Sequence, residues 1–118
     1  GINEKEREWA KRVSRTIEGN LMDETFNVEA MAELLNMSRS TLLRKTKQVF
    51  GRSPVDLVRV LRLKKAADLM NEGGYRVSDI GYMVGFSSAS YFSKSFQKQF
   101  GMSPKEFAKH CREGDGVG

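Results

Sequence analysis

The sequence predicts an all-α fold of about seven helices, in which two helix-turn-helix subdomains are joined by a long linker helix. Apolar residues recur at helical spacing, and no segment alternates apolar and polar residues long enough to predict a sheet. A five-residue motif occurs twice, and each copy follows a short helix, a tight turn and a second helix. The length of 118 residues fits one domain or two small lobes that share a linker.

The internal repeat is the strongest single signal in the chain. The run Phe50-Gly51-Arg52-Ser53-Pro54 returns fifty residues later as Phe100-Gly101-Met102-Ser103-Pro104. Further upstream the offset becomes 49 residues, so that Ala32 corresponds to Gly81. Two copies are too few for a solenoid of stacked repeats, and we therefore predict two copies of one supersecondary unit.

Helix boundaries follow from apolar periodicity and from capping residues. We predict helices at residues 3–19, 28–35, 39–50, 54–71, 78–84, 89–100 and 104–112. The predicted domain boundaries are 1–53 for the N-terminal helix with the first helix-turn-helix subdomain, 54–72 for the linker helix, 73–112 for the second subdomain and 113–118 for a disordered tail.

The first three helices each carry a clear signal. Trp9, Val13 and Ile17 recur every four residues and form one apolar stripe on the first helix. Asn27 precedes the second helix and Ser38 precedes the third, and both residue types are strong N-caps.

The remaining helices are also marked by caps. Ser53-Pro54 followed by Asp56 opens the linker helix, because serine caps, proline fits the first helical position and an acid favours the N-terminus. Periodicity indicates the fifth helix, either Ser87 or Ser88 caps the sixth, and the run from Ser103 to Glu106 is a capping box for the seventh.

Positive charge is concentrated in one segment. Residues 37–65 hold nine basic residues and only one acidic residue, Asp56, whereas residues 1–36 are acidic on balance and residues 66–118 are balanced. A solvated surface usually mixes the two signs, so a localised basic segment indicates a polyanionic partner.

The exposed stripes of the third and sixth helices are predicted to face the major groove of DNA. Candidate base-reading residues are Arg39, Ser40, Leu43, Arg44, Ala89, Ser90, Ser93, Lys94 and Gln97. Arginine can donate two hydrogen bonds to guanine, while leucine and alanine suit the thymine methyl group. Candidate phosphate contacts are Ser38, Lys45, Lys47, Arg52, Ser87 and Lys98. For any one of these cations, a phosphate contact or a solvated charge is the alternative to base reading, and Arg62 and Lys65 on the linker helix could equally serve packing.

The linker helix has a suitable length for joining two recognition helices. Eighteen residues at about 1.5 Å each span roughly 27 Å. Successive major grooves on one side of DNA lie about 34 Å apart. Because the two exposed stripes differ in sequence, we expect an asymmetric binding site, with the first repeat supplying more of the affinity.

Several stretches match one known family, namely residues 32–38, 42–45, 51–54, 62–70, 84–86 and, above all, 90–104. On these residues the chain resembles the DNA-binding domain of the AraC/XylS family of bacterial transcription factors, over about residues 20–112. The resemblance implies two helix-turn-helix subdomains whose third and sixth helices enter successive major grooves of a site of roughly 20 base pairs. The implied base-contact positions are Ser40, Leu43, Arg44, Ala89, Ser90, Ser93 and Lys94.

Two residues depart from the family pattern. Thr46 stands where the family usually has a buried aromatic or aliphatic residue, and it is expected to loosen the first subdomain. Gly81 stands where alanine is usual, at a cost in helix propensity of about 1 kcal/mol. The first helix and residues 20–27 resemble the C-terminal output domains of hybrid two-component regulators, which implies a longer parent chain with sensor, kinase and receiver parts.

Together these patterns predict a sequence-specific DNA-binding domain of a bacterial transcription regulator, located in the cytoplasm with the nucleoid. Expected partners are double-stranded DNA and RNA polymerase, with dimerisation through a longer parent chain and without membrane contact or a cofactor. The alternative is a protein-interaction module on the same scaffold with only non-specific DNA affinity, which would not need nine cations in residues 37–65. An enzyme is excluded because no catalytic motif occurs, and His110 with Cys111 cannot complete a metal site.

Overall fold

A computed structural model describes residues 3–114 of the chain. Its helices are α1 (Glu4–Glu18), α2 (Val28–Leu34), α3 (Arg39–Phe50), α4 (Pro54–Glu72), α5 (Val77–Met83), α6 (Ala89–Phe100) and α7 (Pro104–Gly114). The described residues contain no strand, so the all-α prediction is confirmed. Within the same range, no helix is both long enough and apolar enough to cross a membrane.

The helix ends lie close to the predicted ones, with two informative differences. Helix α5 begins one residue early, at Val77, and the side chain of its N-cap residue Arg76 makes no capping hydrogen bond. Helix α7 continues through Gly114, whereas we predicted a tail from Glu113; the Glu113 carboxylate lies 4.0 Å from the Lys109 ammonium one turn earlier. The rest of the predicted tail, residues 115–118, lies outside the described residues.

The predicted caps are present as hydrogen bonds. The side chains of Asn27, Ser38 and Ser53 each accept a hydrogen bond from the backbone N–H three residues later, at 2.9, 3.2 and 3.2 Å. Ser103 and Glu106 form the predicted capping box, with reciprocal backbone-to-side-chain bonds of 3.2 and 3.4 Å. Each cap pairs an N–H group that the helix itself leaves without a partner.

The chain divides into two compact units between Leu61 and Arg62, within α4. The core of the first unit is anchored by Trp9, Val13 and Ile17 of α1. Its other buried apolar members are Leu21, Phe26, Val28, Met31, Ala32, Leu35, Leu42 and Leu57. The N-terminal helix is therefore an integral part of the first unit.

The core of the second unit is built largely from aromatic rings. The ring of Phe96 lies 5.7 Å from that of Phe92, 4.5 Å from that of Phe100 and 5.3 Å from that of Phe107, measured between centroids. The residue that corresponds to Phe96 in the first repeat is Thr46, which is fully buried. The Thr46 hydroxyl oxygen has no hydrogen-bond partner within residues 3–114. The aromatic residues of the first unit lie at other positions, namely Trp9, Phe26 and Phe50, and the rings of Trp9 and Phe50 are 6.3 Å apart.

Both helix-turn-helix turns adopt the same backbone geometry. Asn36 and the corresponding Gly85 take left-handed conformations, with φ of 55° and 98°. The next backbone N–H in each turn bonds to a carbonyl five residues back, from Met37 to Ala32 and from Phe86 to Gly81, at 3.0 Å in both copies. This is the helix-ending arrangement in which a left-handed residue satisfies the last carbonyls, so the two repeats share a backbone as well as a sequence pattern.

Gly81 has a packing role that its low helix propensity does not reveal. A Cβ atom built on Gly81 would lie 2.7, 2.8 and 3.2 Å from Cδ2, Cγ and Cβ of Phe92. The Phe92 ring is buried and lies 5.3 Å from the ring of Phe86. Helix α5 therefore approaches α6 more closely than an alanine would allow. In the first repeat the corresponding pair is Ala32 with the smaller Leu42.

Candidate nucleic-acid interface

Helix α3 presents the predicted base-reading residues to solvent. Leu42 and Thr46 face the core, while the opposite stripe is exposed along its length. The residues on that stripe are Arg39, Ser40, Leu43, Arg44 and Lys47. Leu43 is 39% exposed, although a leucine is usually buried. The stripe therefore presents one apolar side chain among several cationic and polar ones.

Helix α6 has the same arrangement in the second unit. Phe92 and Phe96 are buried, and the opposite stripe is exposed. Its residues are Ala89, Ser90, Ser93, Lys94 and Gln97. Every residue predicted to read bases is thus accessible to solvent within its own unit. The second stripe carries less charge than the first, since Lys94 is its sole cation.

Three of the predicted DNA-contacting cations already have partners inside the chain. Arg39 forms an ion pair with Glu29 of α2. The ammonium of Lys45 lies over the Trp9 ring, 4.7 Å from its centroid, and that of Lys47 donates to the Gly51 carbonyl at 3.3 Å. The Lys45 contact stabilises the packing of α3 against α1, and the Lys47 contact stabilises the C-terminal end of α3.

The other predicted cations point outward without such contacts. They are Arg44, Arg52, Lys94 and Lys98, which are exposed and make no ion pair or side-chain hydrogen bond with any residue in the range 3–114. Because no intramolecular partner competes for them, these four side chains are the best placed to contact an external anion.

The N-terminus of α6 resolves the choice between two serines. Ser88 is the N-cap, and its hydroxyl accepts from the Tyr91 N–H at 3.1 Å. Ser87 is exposed and is the extra residue of the second turn, since Ser38 of the first repeat corresponds to Ser88. Ser87 is therefore not the cap, although it is predicted as a phosphate contact at a capped N-terminus.

The first turns of α3 and α6 share a feature that the sequence reasoning missed. Among the described helices, α1, α2, α4, α5 and α7 each carry an acidic residue in the first turn. Helices α3 and α6 carry none. The partial positive charge at these two N-termini is thus not offset by a carboxylate in the same turn, which suits an approaching phosphate. Comparing first-turn residues across the predicted helices would have revealed this pattern.

Two linker-helix arginines make contacts within their own units. Arg59 pairs with Asp56 one turn earlier, at 2.9 Å. Arg62 is half-buried and donates to the Gly85 carbonyl in the turn of the second unit, at 3.2 Å. Arg62 therefore supports the second helix-turn-helix turn, whereas Lys65 is exposed on the same helix.

A cleft of about 320 Å³ lies in the second unit between α5, α6 and α7. Ser78, Ala89 and Ser93 line it together with the apolar side chains of Val77 and Phe92. No group of three or more metal-ligating side chains occurs within the described residues.

Known proteins share both the sequence pattern and the helix arrangement of this chain. A family model described as a helix-turn-helix domain matches residues 31–110. Histidine kinase P4 of Formosa agariphila is 37% identical over 103 residues, which is 87% of this chain and 8% of the kinase. The chain likewise spans less than half of other relatives, such as 39% of the transcriptional activator CfaD of Escherichia coli.

Solved structures agree with the family model. A transcriptional regulator of the AraC type from Chromobacterium violaceum has a TM-score of 0.84 at 26% identity, covering 92% of this chain and 96% of that chain. The DNA-binding domain of AdpA, solved in complex with a target DNA, has a TM-score of 0.82 at 28% identity with the same coverage. The resemblance inferred from the sequence is confirmed: the chain belongs to the AraC/XylS family and is a DNA-binding domain of a transcription regulator, not an enzyme.

Proposed function

We propose that the domain binds a specific, asymmetric DNA site by inserting α3 and α6 into successive major grooves. The observation that carries this proposal is that α3 and α6 alone among the described helices lack a first-turn acid, and both expose a polar stripe opposite a buried one. A first helical turn without carboxylates of its own, followed by donors along one face, is what a major groove with flanking phosphates accepts.

We assign base reading chiefly to the residues whose side chains are exposed and uncommitted. Arg44 is the strongest of them, because an arginine without an intramolecular partner can bind guanine O6 and N7 together. Leu43 lies beside Arg44 on the same stripe and suits a thymine methyl group. Arg52 and Lys98 have no partner within the described chain and are assigned to phosphates, where a single charge suffices.

The proposal also covers the longer protein of which this domain is a part. The chain covers 8% of a histidine kinase, and we propose that it is the output domain of a longer two-component regulator in the bacterial cytoplasm. Dimerisation through that parent would raise the effective concentration of the domain at its site. Recruitment of RNA polymerase to the bound site is the remaining part of the proposal.

The test compares Arg44→Ala with Arg7→Ala, which removes the same charge from an exposed position on α1. On duplexes carrying a site enriched by selection, Arg44→Ala should lose about 1–3 kcal/mol of binding free energy and relax specificity at one base pair. Arg7→Ala should keep both properties, because α1 carries no assigned DNA contact. If Arg44→Ala bound every variant of the site as the parent does, the assigned orientation of α3 would be wrong.

The alternative of a protein-interaction module predicts a different result. In that case both variants would weaken DNA binding alike, without any change in the preferred sequence, since only net charge would matter. Equal losses for Arg44→Ala and Arg7→Ala at every sequence would therefore favour the alternative.

A further inference from the structure

The ion pair between Glu29 and Arg39 joins the two helices of the first helix-turn-helix unit. Glu29 lies in the first turn of α2, and Arg39 is the first residue of α3. We propose that Glu29 is a positioning residue for DNA recognition, which holds the Arg39 guanidinium at the edge of the base-reading stripe. This inference rests on the function proposed above, because it requires α3 to enter the major groove.

The location of Arg39 explains why it needs a partner. A cation at the first position of a helix is disfavoured by the positive end of the helix dipole. Arg39 is also long and exposed, so a free side chain would sample many rotamers. The Glu29 carboxylate binds the guanidinium from the neighbouring helix. Its negative charge offsets the unfavourable interaction with the helix dipole, and the contact restricts the rotamers of Arg39.

The pair leaves donor capacity for DNA. A guanidinium carries five N–H donors in a planar fork, and one carboxylate accepts at most two of them in a single edge-on contact. Leu43 follows Arg39 by one helical turn on the same face. Arg39 therefore shares a helix face with other residues assigned to base reading and keeps N–H donors that Glu29 does not use.

Stability does not account for the pair. Both side chains are well exposed, at 59% for Arg39 and 62% for Glu29. Ion pairs with this exposure contribute little to folding, because water screens them and two flexible side chains must be ordered. A carboxylate at a DNA-binding edge also repels phosphates, so Glu29 weakens non-specific binding while it orients Arg39.

The second repeat has no ion pair at the two corresponding positions. The residues corresponding to Glu29 and Arg39 are Ser78 and Ala89, and both line the cleft of the second unit. The charged bridge is thus specific to the first repeat. It would give the first unit one more discriminating contact than the second and would contribute to the asymmetry of the site.

A double-mutant cycle with a matched control tests the proposal. The variants are Glu29→Gln, Arg39→Ala and their combination, with Glu33→Gln as the control that removes the same charge from an exposed position on the same helix. The quantity measured is the ratio of affinities for the selected duplex and for a scrambled duplex, at fixed salt. A circular dichroism spectrum and melt of each variant checks that the helices remain folded.

Glu29→Gln should lower this ratio by about two- to fivefold, which is the range that an exposed ion pair can supply. Arg39→Ala should lower it by as much or more, and adding Glu29→Gln to Arg39→Ala should then change nothing further. Glu33→Gln should raise both affinities together and keep the ratio. A structural role in α2 alone would not move the ratio.

The proposal is overturned if Glu29→Gln behaves as Glu33→Gln does, because Glu29 would then act only through its charge. It is also overturned if Glu29→Gln lowers the ratio equally with and without Arg39. These failures differ from failure of the proposed function. In that case the parent protein would bind the two duplexes equally, and Arg44→Ala would not change the ratio of the two affinities.

Discussion

Replacing Gly81 with alanine should destabilise the second unit, although alanine is the better helix former. The new Cβ would lie 2.7 Å from Cδ2 and 2.8 Å from Cγ of Phe92. The Phe92 ring has little room to withdraw, because it packs against the rings of Phe86 and Phe96 at 5.3 and 5.7 Å. Overpacking of this severity costs about 2–3 kcal/mol, toward the upper end of the usual range.

Helix propensity returns part of that cost. Alanine is favoured over glycine within a helix by about 1 kcal/mol. The net loss expected for Gly81→Ala is therefore about 1–2 kcal/mol. Urea unfolding followed by far-ultraviolet circular dichroism measures it, with the free energy taken from linear extrapolation. The fluorescence of Trp9, the sole tryptophan, reports on the first unit in the same titration.

The first repeat suggests the compensating change. There the corresponding residues are Ala32 and Leu42, so Phe92→Leu should make room for an alanine at position 81. We expect the double variant to lose at least about 1 kcal/mol less than the sum of the two single losses. If Gly81→Ala were as stable as the parent, or if the two losses simply added, the contact with Phe92 would not explain the glycine.

Two further predictions concern buried and capping hydroxyls. Thr46→Val should raise the free energy of unfolding by about 1 kcal/mol, because it replaces a buried hydroxyl that lacks a partner within the described chain. Thr16→Val is its control and should give no gain, since that hydroxyl donates to a backbone carbonyl at 2.9 Å. Ser88→Ala should cost about 1 kcal/mol in urea unfolding through loss of the α6 cap. Ser87→Ala should leave stability unchanged, and a larger loss for Ser87→Ala would contradict the cap assignment.

Local signals explain why most of the fold could be predicted. Asn27, Ser38 and Ser103 cap their helices through contacts within three residues, so the relevant atoms are close in sequence. The start of α5 was predicted one residue too late, because Arg76 supplies no side-chain cap that would mark it. The choice between Ser87 and Ser88 stayed open for a similar reason, since either serine could have capped α6.

Contacts between helices were harder to foresee. From the sequence, Gly81 is only a residue of low helix propensity, and the contact with Phe92 that requires a glycine is visible only in the structure. The pair of Glu29 and Arg39 joins residues ten positions apart on different helices, and each alone resembles an ordinary solvated charge. The exposed stripes of α3 and α6 were predicted from periodicity, whereas the intramolecular partners of their cations depend on how the helices pack.

The most direct test of the account is selection of binding sites from random duplex DNA, with affinity for the enriched sequence then followed against salt concentration. The account predicts an asymmetric motif with two boxes about 10 base pairs apart. It also predicts that a preference for that motif survives as salt weakens binding overall. Binding without any enriched sequence, lost steeply as salt rises, would contradict the central claim, because only the basic surface of residues 37–65 would then act on DNA.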